Sequence, residues 1–459
     1  MDYSIFDPST MISTASLGII PSLGDAYPAL QAAELTAHAA GKILYIDPGV
    51  YNLSHPLELQ DGDTLAAELG KVILGPDQGN VNLLGNKLDS SGETSNVTVA
   101  NIIFDGGYTS SSSPIVGVPS STNSLATFYI VSGINFVSDT FENAPYIGVL
   151  LSNADNTGFY DCTFSSIGTA PNANSSTNTN PYSQGVAFTG SNIKPSIGNF
   201  VVGCYFTDIG LDAVSATDQT SFLISNSSLT NLEIQPTTFW TQYTAGSAGI
   251  YLSNDTQSSV LGNTISNASG SGIDIANDGT LVIQDNIVID SNGPGINIAG
   301  SNTITIQDNV LNNNNQAEYT WLSAAAITIA DHAWGQAGPD SANVMITQNV
   351  ATNTGGNTSQ FWAVQINTEA HPLGLYIWSN LFSGNSLQNS YGLSGVFDGY
   401  FQPRTETIVS APLDTGVLSA PPAFIYVGGA TNGSSTRSDT RATLAANGVS
   451  SRSALRSTV

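Results

Sequence analysis

A 23-residue repeat constrains this chain more than any other feature. The stretches 222–229, 281–288 and 304–311 share one pattern: two alternating apolar residues, a small polar residue three positions later, and an apolar residue two positions after that. The polar residue recurs at intervals of 23 four times, from 139 to 162, 204 to 227, 263 to 286 and 286 to 309. Such a period predicts a solenoid in which each unit buries its apolar face only against its neighbours.

A second element lies about 14 residues before each polar position. It reads Gly-Ile-Tyr-Leu from Gly249, Gly-Ile-Asp-Ile from Gly272 and Gly-Ile-Asn-Ile from Gly295. Alternation with a period of two indicates β-strands, and β-branched residues fill the inward positions. Two or three short strands and tight bends account for one turn at about 3.3 Å per residue. The chain is therefore predicted to be all-β, a parallel β-helix with coils of about 22–24 residues.

Two columns of small polar residues accompany these strands. The first column contains Asn101, Asp139, Cys162, Cys204, Ser227, Asn263, Asn286, Asn309, Asn349 and Asn380. The second column, four residues further on, contains Asp105, Asn143, Ser166, Asp208, Asn231, Asn267, Asp290, Asn313 and Asn353. Because Asn, Asp and Ser tolerate bends and bond their own backbone, the second column predicts an asparagine-type ladder with a scaffold role. Cys162 and Cys204 fall on successive coils, which favours two buried thiols and leaves a disulfide open.

Composition limits the partners of this chain. Its 459 residues include only 10% charged residues, carry a net charge of -26, and contain no Lys or Arg between Lys194 and Arg404. So acidic a surface repels nucleic acid and anionic membranes, and we predict neither as a partner. No apolar run approaches the roughly 18 residues of a membrane span, and no metal-binding spacing is present.

The beginning of the chain resembles a known superfamily. Residues 24–41, from Gly-Asp-Ala-Tyr-Pro to Ala-Ala-Gly, and residues 43–51, Ile-Leu-Tyr-Ile-Asp-Pro-Gly-Val-Tyr, are similar to the opening of right-handed parallel β-helix proteins of the pectate-lyase superfamily. The resemblance covers roughly residues 2–390. It implies a helix at about 27–41 that caps the open end, with Leu30, Ala33, Leu35 and Ala37 to Ala40 covering the core. We expect a β-helix over 1–428 and a polar, basic tail over 429–459, where the repeat stops.

The superfamily includes lyases, hydrolases, epimerases and noncatalytic surface proteins, so the fold alone does not specify chemistry. The stretch 143–149 lacks the Asp-Pro-His of the Tyr-Gly-x-Asp-Pro-His signature carried by mannuronan epimerases of this fold. The middle coils also lack the Arg or Lys that pectate lyases place beside the abstracted proton, and a polyuronate needs such a cation. We therefore predict a neutral or weakly charged glycan and no cofactor, unless bound calcium supplies the positive charge.

Long insertions between coils predict where a glycan would bind. The segments 108–124, 169–183, 232–246, 314–322 and 355–361 all fall at one bend, so on a regular stack they line one face. Aromatic rings suit the C–H faces of sugars, although the same rings could pack the loops onto the coil. The predicted sugar-binding residues are Tyr182, Trp240, Tyr243, Tyr251, Asn297, Tyr319, Trp321, Trp334 and Trp362.

Three acids near these segments are the candidate catalytic residues. Asp212 precedes a strand at a position held by Ala, Ser or Pro on other coils, and Asp274 lies at the outward position of its strand two coils later. Glu233 lies on the insertion between them. Carboxylate pairs act as acid and base in glycosidases, at a separation that differs between inverting and retaining enzymes. Asp331 and His332 form a candidate proton shuttle, and for each residue a purely structural role is the alternative.

Two classes of function remain. The first is an extracellular or cell-surface glycoside hydrolase acting on a polysaccharide or oligosaccharide; a calcium-assisted lyase or epimerase on uronates is its less favoured variant. The second is a noncatalytic surface protein, an adhesin or lattice subunit. The start Met1-Asp-Tyr-Ser lacks the basic and apolar regions of a signal peptide, so a signal was removed or export uses another route. Whether three copies bundle as a homotrimer is left open.

Overall fold

The structure is a computed structural model. It describes residues 8–76, 82–86, 93–107, 124–168, 183–191, 194–232, 248–315, 325–330, 341–353, 362–366, 373–383, 391–393, 398–401 and 425–427. Within these residues the chain is built almost entirely of short parallel strands, which form three long sheets. Each coil passes once through each sheet, as the repeat predicts for a parallel β-helix.

The strands of the three sheets are given in chain order. The first sheet contains Met11–Ser13, Ile43–Ile46, Thr64–Ala67, Thr98–Ala100, Asn135–Val137, Gly158–Tyr160, Phe200–Val202, Leu223–Ser225, Ser258–Leu261, Leu281–Gln284, Ile304–Gln307, Met345–Thr347, Leu373–Trp378, Asp398–Phe401 and Ile425–Val427. The second contains Ser22–Asp25, Gly49–Leu53, Val72–Pro76, Ile102–Asp105, Thr140–Glu142, Thr163–Ile167, Tyr205–Ile209, Ser228–Leu232, Thr264–Ala268, Ile287–Ile289, Val310–Asn312, Val350–Thr352 and Leu381–Ser383. The third contains Leu57–Leu59, Leu84–Asn86, Thr94–Ser95, Ser124–Ser132, Ile147–Asp155, Val186–Thr189, Val214–Thr217, Ala248–Ser253, Ser271–Ala276, Ile296–Ala299, Ala325–Ala330, Trp362–Ile366 and Tyr391–Leu393.

The remaining elements are few. A small additional sheet pairs Ser196–Ile197 with Gln219–Thr220. Two 3-10 turns, Pro8–Thr10 and Ala15–Leu17, and one α-helix, Tyr27–Ala39, lie near the start of the chain. No helix among the described residues is long and apolar enough to cross a membrane. The predicted tail over 429–459 lies outside the described residues.

One continuous core fills the space between the sheets. Equivalent apolar residues stack on successive coils in register, as Ile283 does on Ile306, and side chains of this kind are buried along the whole β-helix. In the early coils the core is aromatic: the rings of Phe104, Phe141, Phe164 and Phe206 stack with centroid separations of 4.9, 5.0 and 4.7 Å. Residues at equivalent positions stack in this way because each coil packs only on its neighbours.

A fully buried asparagine ladder runs along the first polar column, where it was not predicted. Asn263, Asn286 and Asn309 are fully buried, and each side-chain oxygen accepts a hydrogen bond from the backbone N–H of the preceding coil, as Asn286 Oδ1 does from Asn263 at 2.9 Å. The second column has left-handed backbone, with φ of 57° at Asp290 and 57° at Asn313. Its side chains also bond from coil to coil in places, as Asn313 Nδ2 does to Asp290 Oδ1 at 2.7 Å, so the predicted ladder is present there in part. Both roles suit Asn and Asp, so the residue types alone did not distinguish them.

The strand register shows that Asn101 does not belong to the first column. Thr140 pairs with Ile103, so the residue beside Asp139 is Ile102, whose N–H donates to Asp139 Oδ1 at 2.8 Å. Asn101 lies one position earlier, in the left-handed bend with φ of 65°. The two cysteines do occupy the column as predicted; both are buried and neither is in a disulfide.

The predicted cap is present as the helix Tyr27–Ala39. Pro28 lies in its first turn, where a missing N–H costs nothing and the fixed φ favours helix. Leu30, Ala33 and Ala37 are buried against the end of the core. The prediction was wrong for Leu35, which is 50% exposed, and for Ala39 and Ala40, which are also exposed. Glu34 is buried instead, because its helical position faces the segment before the Thr64–Ala67 strand, where Gln60 and Asp63 bind it.

Candidate functional site on the third sheet

Polar side chains follow one outward row of the third sheet. Register places Ser215 beside Tyr251, Tyr251 beside Asp274, Asp274 beside Asn297, and Asn297 beside Thr328. The residues on either side of each belong to the core, as Ile273 and Ile275 do around Asp274. Strand alternation therefore turns these five side chains outward, on five successive coils. We call them the outer row.

The outer row is shielded from water to an unusual degree. Asp274 is 3% exposed, Asn297 9% and Thr328 0%. Most outward residues of the other two sheets are partly or largely exposed, as at Tyr160 on the first sheet with 41% and Tyr205 on the second with 57%, although Ser225 and Thr347 are buried. Three buried polar residues on successive coils, one of them an acid, mark this face as a place where titratable groups have unusual properties.

Asp274 is the most chemically distinctive residue of the row. Burial raises the pKa of its carboxyl group to about 6, although the Asn297 amide and the backbone N–H of Ile275 act in the opposite direction. The Asn297 bond is 2.9 Å from Nδ2 to Oδ1. An acid with this pKa holds its proton in weakly acidic solution and can release it near neutrality, which is the property of a general acid.

Tyr251 lies between two acids of the site. Its pKa is raised to about 12, first by burial and then by the negative charges of Asp274, Asp212 and Asp278, while a hydrogen bond with Ser253 lowers it. The ring packs on a small apolar cluster formed by Ala276 and Ala299 on the following coils. Tyr251 therefore stays protonated at ordinary pH and offers a neutral hydroxyl group beside Asp274.

Asp212 has a different environment from the one its sequence position suggested. It is 4% exposed; its Oδ1 accepts from the Ala248 N–H at 2.8 Å, and its Oδ2 accepts from Gln184 Nε2 at 3.4 Å. The side chain thus joins three successive coils. Asp212 lies two coils before Asp274 and three residues earlier along the strand direction. At about 4.8 Å per coil and 3.3 Å per residue, these two offsets place the two α-carbons about 14 Å apart.

Two further buried acids lie just after the strands that carry Tyr251 and Asp274. Asp278 Oδ1 accepts from the Asp255 N–H at 2.7 Å, and Asp255 Oδ1 accepts from the Gln219 N–H at 2.7 Å. Burial raises the pKa of Asp255 to about 8. It also raises the pKa of Asp278, and the charge of Asp255 adds to the effect. The sequence did not single out these two, because their turn positions look like ordinary bends.

Several predicted site residues lie outside the described residues. These are Glu233, Tyr182, Trp240, Tyr243, Tyr319, Trp321, Trp334, Asp331 and His332. Trp362 begins a strand of the third sheet and pairs with Ala325. Of the predicted set, the structure brings together Tyr251, Asp274 and Asn297, and it places Asp212 near Tyr251. Their roles stay predictions.

A separate group of ionisable residues lies in the cap. Glu34, His38 and Asp63 each have a ligand-type atom within 4.8 Å of the other two. The His38 Nδ1 is 2.8 Å from Asp63 Oδ1. Burial raises the pKa of Glu34 to about 8, and the Asp63 carboxylate adds to this shift. The sequence did not reveal this group, because Asp63 is 25 positions from His38 along the chain.

Comparison with known families agrees with this architecture. Residues 184–380 match the family described as "Right handed beta helix region". The part of the chain that the structure describes is a right-handed parallel β-helix. The fold that the resemblance implied is thereby confirmed. No curated protein matches the chain in sequence.

Solved structures with this fold extend over most of the chain. The Azotobacter vinelandii mannuronan C-5 epimerase AlgE4 A-module is 13% identical with a TM-score of 0.61, covering 85% of this chain and 98% of that one. The Streptococcus pneumoniae surface adhesin PfbA is 13% identical with a TM-score of 0.61, covering 92% and 99%. Tailspike protein 3 of bacteriophage CBA120 is 12% identical with a TM-score of 0.50, covering 88% of this chain and 64% of that one. At such identities the likeness concerns the fold.

Proposed function

We propose that this protein binds a polysaccharide on the outer face of the third sheet, and that it hydrolyses a glycosidic bond there with Asp274 as the proton donor. The observation that carries the proposal is the buried Asp274 carboxyl group, with a pKa of about 6 and a hydrogen bond to Asn297. Glycoside hydrolysis needs an acid that is still protonated at the working pH, and burial is how such an acid is obtained.

The surroundings of Asp274 fit this role. Tyr251 and Asn297 flank it on the two adjacent coils, so a sugar on this face would meet an aromatic ring, a hydroxyl group and an amide. Asp212 and Glu233 are the candidates for the second carboxylate. For Asp212, the spacing of about 14 Å between α-carbons requires the two side chains to reach toward each other or toward a shared water. A mannuronan epimerase and a surface adhesin of the same fold support a polysaccharide partner and an extracellular or cell-surface location.

One observation favours a noncatalytic glycan-binding surface protein as the second candidate. Asp212 and Asp274 are 4% and 3% exposed, and both are engaged by neighbouring coils through Ala248 and Asn297. Buried acids with such partners are also common scaffold elements. In this second case the outer row shapes a binding face and no bond is broken.

The two candidates are separated by incubating the protein with a panel of neutral and uronate-containing glycans and analysing the products. Asp274→Asn is expected to lower the rate at least 100-fold, because loss of a general acid typically costs about 10²–10⁴. The wild-type rate is expected to fall as pH rises above about 6, since Asp274 then loses its proton.

Asp285→Asn is the matched control, because Asp285 is exposed and lies on a bend of the neighbouring coil. Its rate should equal that of the wild type. If Asp274→Asn formed products as fast as the wild type, Asp274 would not be the proton donor. Glycan binding with no products from any substrate would favour the surface protein.

A further inference from the structure

We propose that Glu34, His38 and Asp63 form a binding site for a divalent transition-metal cation, with Zn²⁺ preferred. The site would join the cap helix to the segment between the Leu57–Leu59 and Thr64–Ala67 strands. It lies far along the chain from the outer row and does not depend on the proposed hydrolysis.

The donor atoms are already gathered. Glu34 and His38 are four residues apart on the helix Tyr27–Ala39, so their side chains lie on the same helical face. Asp63 approaches that face, and the three donor atoms lie within 4.8 Å of one another. Ligands around a tetrahedral Zn²⁺ at about 2.1 Å are separated by about 3.4 Å, so only small side-chain adjustments are needed.

The donor types also indicate the cation. One imidazole nitrogen and two carboxylate oxygens make a set that Zn²⁺ accepts readily, whereas Ca²⁺ and Mg²⁺ prefer oxygen ligands alone. A three-ligand set leaves the fourth position to water. The His38 side chain is 36% exposed, so a path from solvent to the site exists.

The charges make a cation favourable. Glu34 is 2% exposed and Asp63 is 7% exposed, and two buried carboxyl groups in contact cannot both ionise at low cost without a positive partner. Among the described residues, no Lys or Arg lies within ion-pair distance of either carboxyl group, and His38 Nδ1 is 2.8 Å from Asp63 Oδ1. A divalent cation would neutralise both carboxylates at once.

A second layer of hydrogen bonds holds the carboxylates in place. Gln31 Nε2 donates to Glu34 Oε2 at 2.8 Å, and Gln60 Nε2 donates to Glu34 Oε1 at 3.2 Å. The Gln60 backbone N–H donates to Asp63 Oδ2. Gln31 is itself held, since its Oε1 accepts from the Glu58 N–H at 2.8 Å. Orientation of metal-binding carboxylates by such partners is a regular feature of metal sites.

The test uses untagged full-length protein, treated with a chelator, desalted and titrated with Zn²⁺ in the presence of millimolar Mg²⁺ to occupy nonspecific acidic positions. We expect one equivalent of Zn²⁺ to bind with micromolar or tighter affinity and the Tm to rise by a few degrees. Co²⁺ in place of Zn²⁺ is expected to show visible d–d absorption from the bound ion.

His38→Asn is the main variant, because the partly exposed His38 can be replaced without disturbing the core. It should weaken Zn²⁺ binding at least 100-fold and abolish the Co²⁺ absorption. Glu34→Gln should do the same. His55→Asn is the matched control, since His55 lies beside the helix, 5.1 Å from the Tyr27 ring, and is not part of the group.

Three results would overturn the proposal: no saturable Zn²⁺ binding by the wild type, equal affinity in His38→Asn and His55→Asn, or Zn²⁺ binding without a change in Tm. In the first case the group is a hydrogen-bonded His38–Asp63 pair beside Glu34. Failure of the glycan experiment would leave this result untouched, because it is read from metal binding alone.

Discussion

Asn286→Ala is expected to lower the free energy of unfolding by about 3–5 kcal/mol. The two N–H groups of Asn286 Nδ2 are shared among Val260 O, Gln284 O and Asn309 Oδ1, at 2.9, 3.0 and 3.0 Å. Its Oδ1 accepts from the backbone N–H of Asn263 at 2.9 Å and from Asn263 Nδ2 at 3.0 Å. Alanine removes all of these bonds and leaves buried polar groups without partners, each costing about 1–3 kcal/mol. Chemical denaturation followed by circular dichroism measures the change.

Asn135→Ala provides the control for this variant. Asn135 is half-buried on a strand of the first sheet, and its side chain donates one local bond, to Gly133 O at 3.1 Å. The same substitution there should cost less than about 1 kcal/mol, because only one modest bond is lost. If both variants lost the same free energy of unfolding, the ladder asparagine would contribute no more to stability than an ordinary one.

Asp139→Asn is expected to stabilise the protein at pH 8 by roughly 2–5 kcal/mol and to change its stability little at pH 4. Burial raises the pKa of Asp139 to about 8, whereas an unfolded aspartate titrates near 4. Below about pH 4 both states hold the proton. Between about pH 4 and 8 only the unfolded state releases it, so wild-type stability falls as pH rises; above about 8 both states are ionised and the loss is complete.

Asparagine suits this position because other coils already use it. At Asn286, Asn309, Asn349 and Asn380 the side-chain amide donates to the carbonyl two residues earlier. The amide introduced by Asp139→Asn can adopt the same arrangement while its Oδ1 still accepts from Ile102, and it loses only the 3.2 Å bond that Asp139 Oδ2 accepts from the Val137 N–H. Thermal unfolding from pH 4 to 9, compared between wild type and variant, measures the difference. In both proteins some loss of stability with rising pH is expected to remain, since burial also raises the pKa of Asp255 and Asp274.

Asp285→Asn removes the same charge from an exposed bend and serves as the matched control. Asp285 has a φ of 57°, a conformation that asparagine tolerates well. Its stability profile should follow that of the wild type at every pH. A profile for Asp139→Asn that runs parallel to the wild type would show that Asp139 is ionised in the folded protein at neutral pH.

Much of the fold was predictable from sequence because a solenoid makes its long-range contacts regular. The alternation around Ile273 and Ile275 and the recurrence of Asn286 and Asn309 at one interval indicate strands and stacking without coordinates. The cap was predictable from the resemblance of residues 24–51. The fully buried ladder of the first column was not predicted, because a buried amide and a left-handed bend select the same residue types.

The candidate site was only partly predictable. Asp274 and Asn297 were recognised from their outward positions in Gly-Ile-Asp-Ile and Gly-Ile-Asn-Ile, and coordinates added that both are buried and bonded to each other. The contact of Asp212 with Ala248 was not foreseen, because it joins residues 36 positions apart. A pKa depends on burial, and burial depends on everything packed around a group.

Sequence by itself determined the β-helix, the outward row and its polar character, since these follow from a period repeated along the chain. Tertiary structure alone decided which carboxyl groups are shielded from water, which asparagines form the ladder, and that Glu34, His38 and Asp63 converge in the cap. The physical reason is that periodicity specifies neighbours within the stack, whereas desolvation and the meeting of a helix with a bend depend on three-dimensional packing that no local pattern encodes.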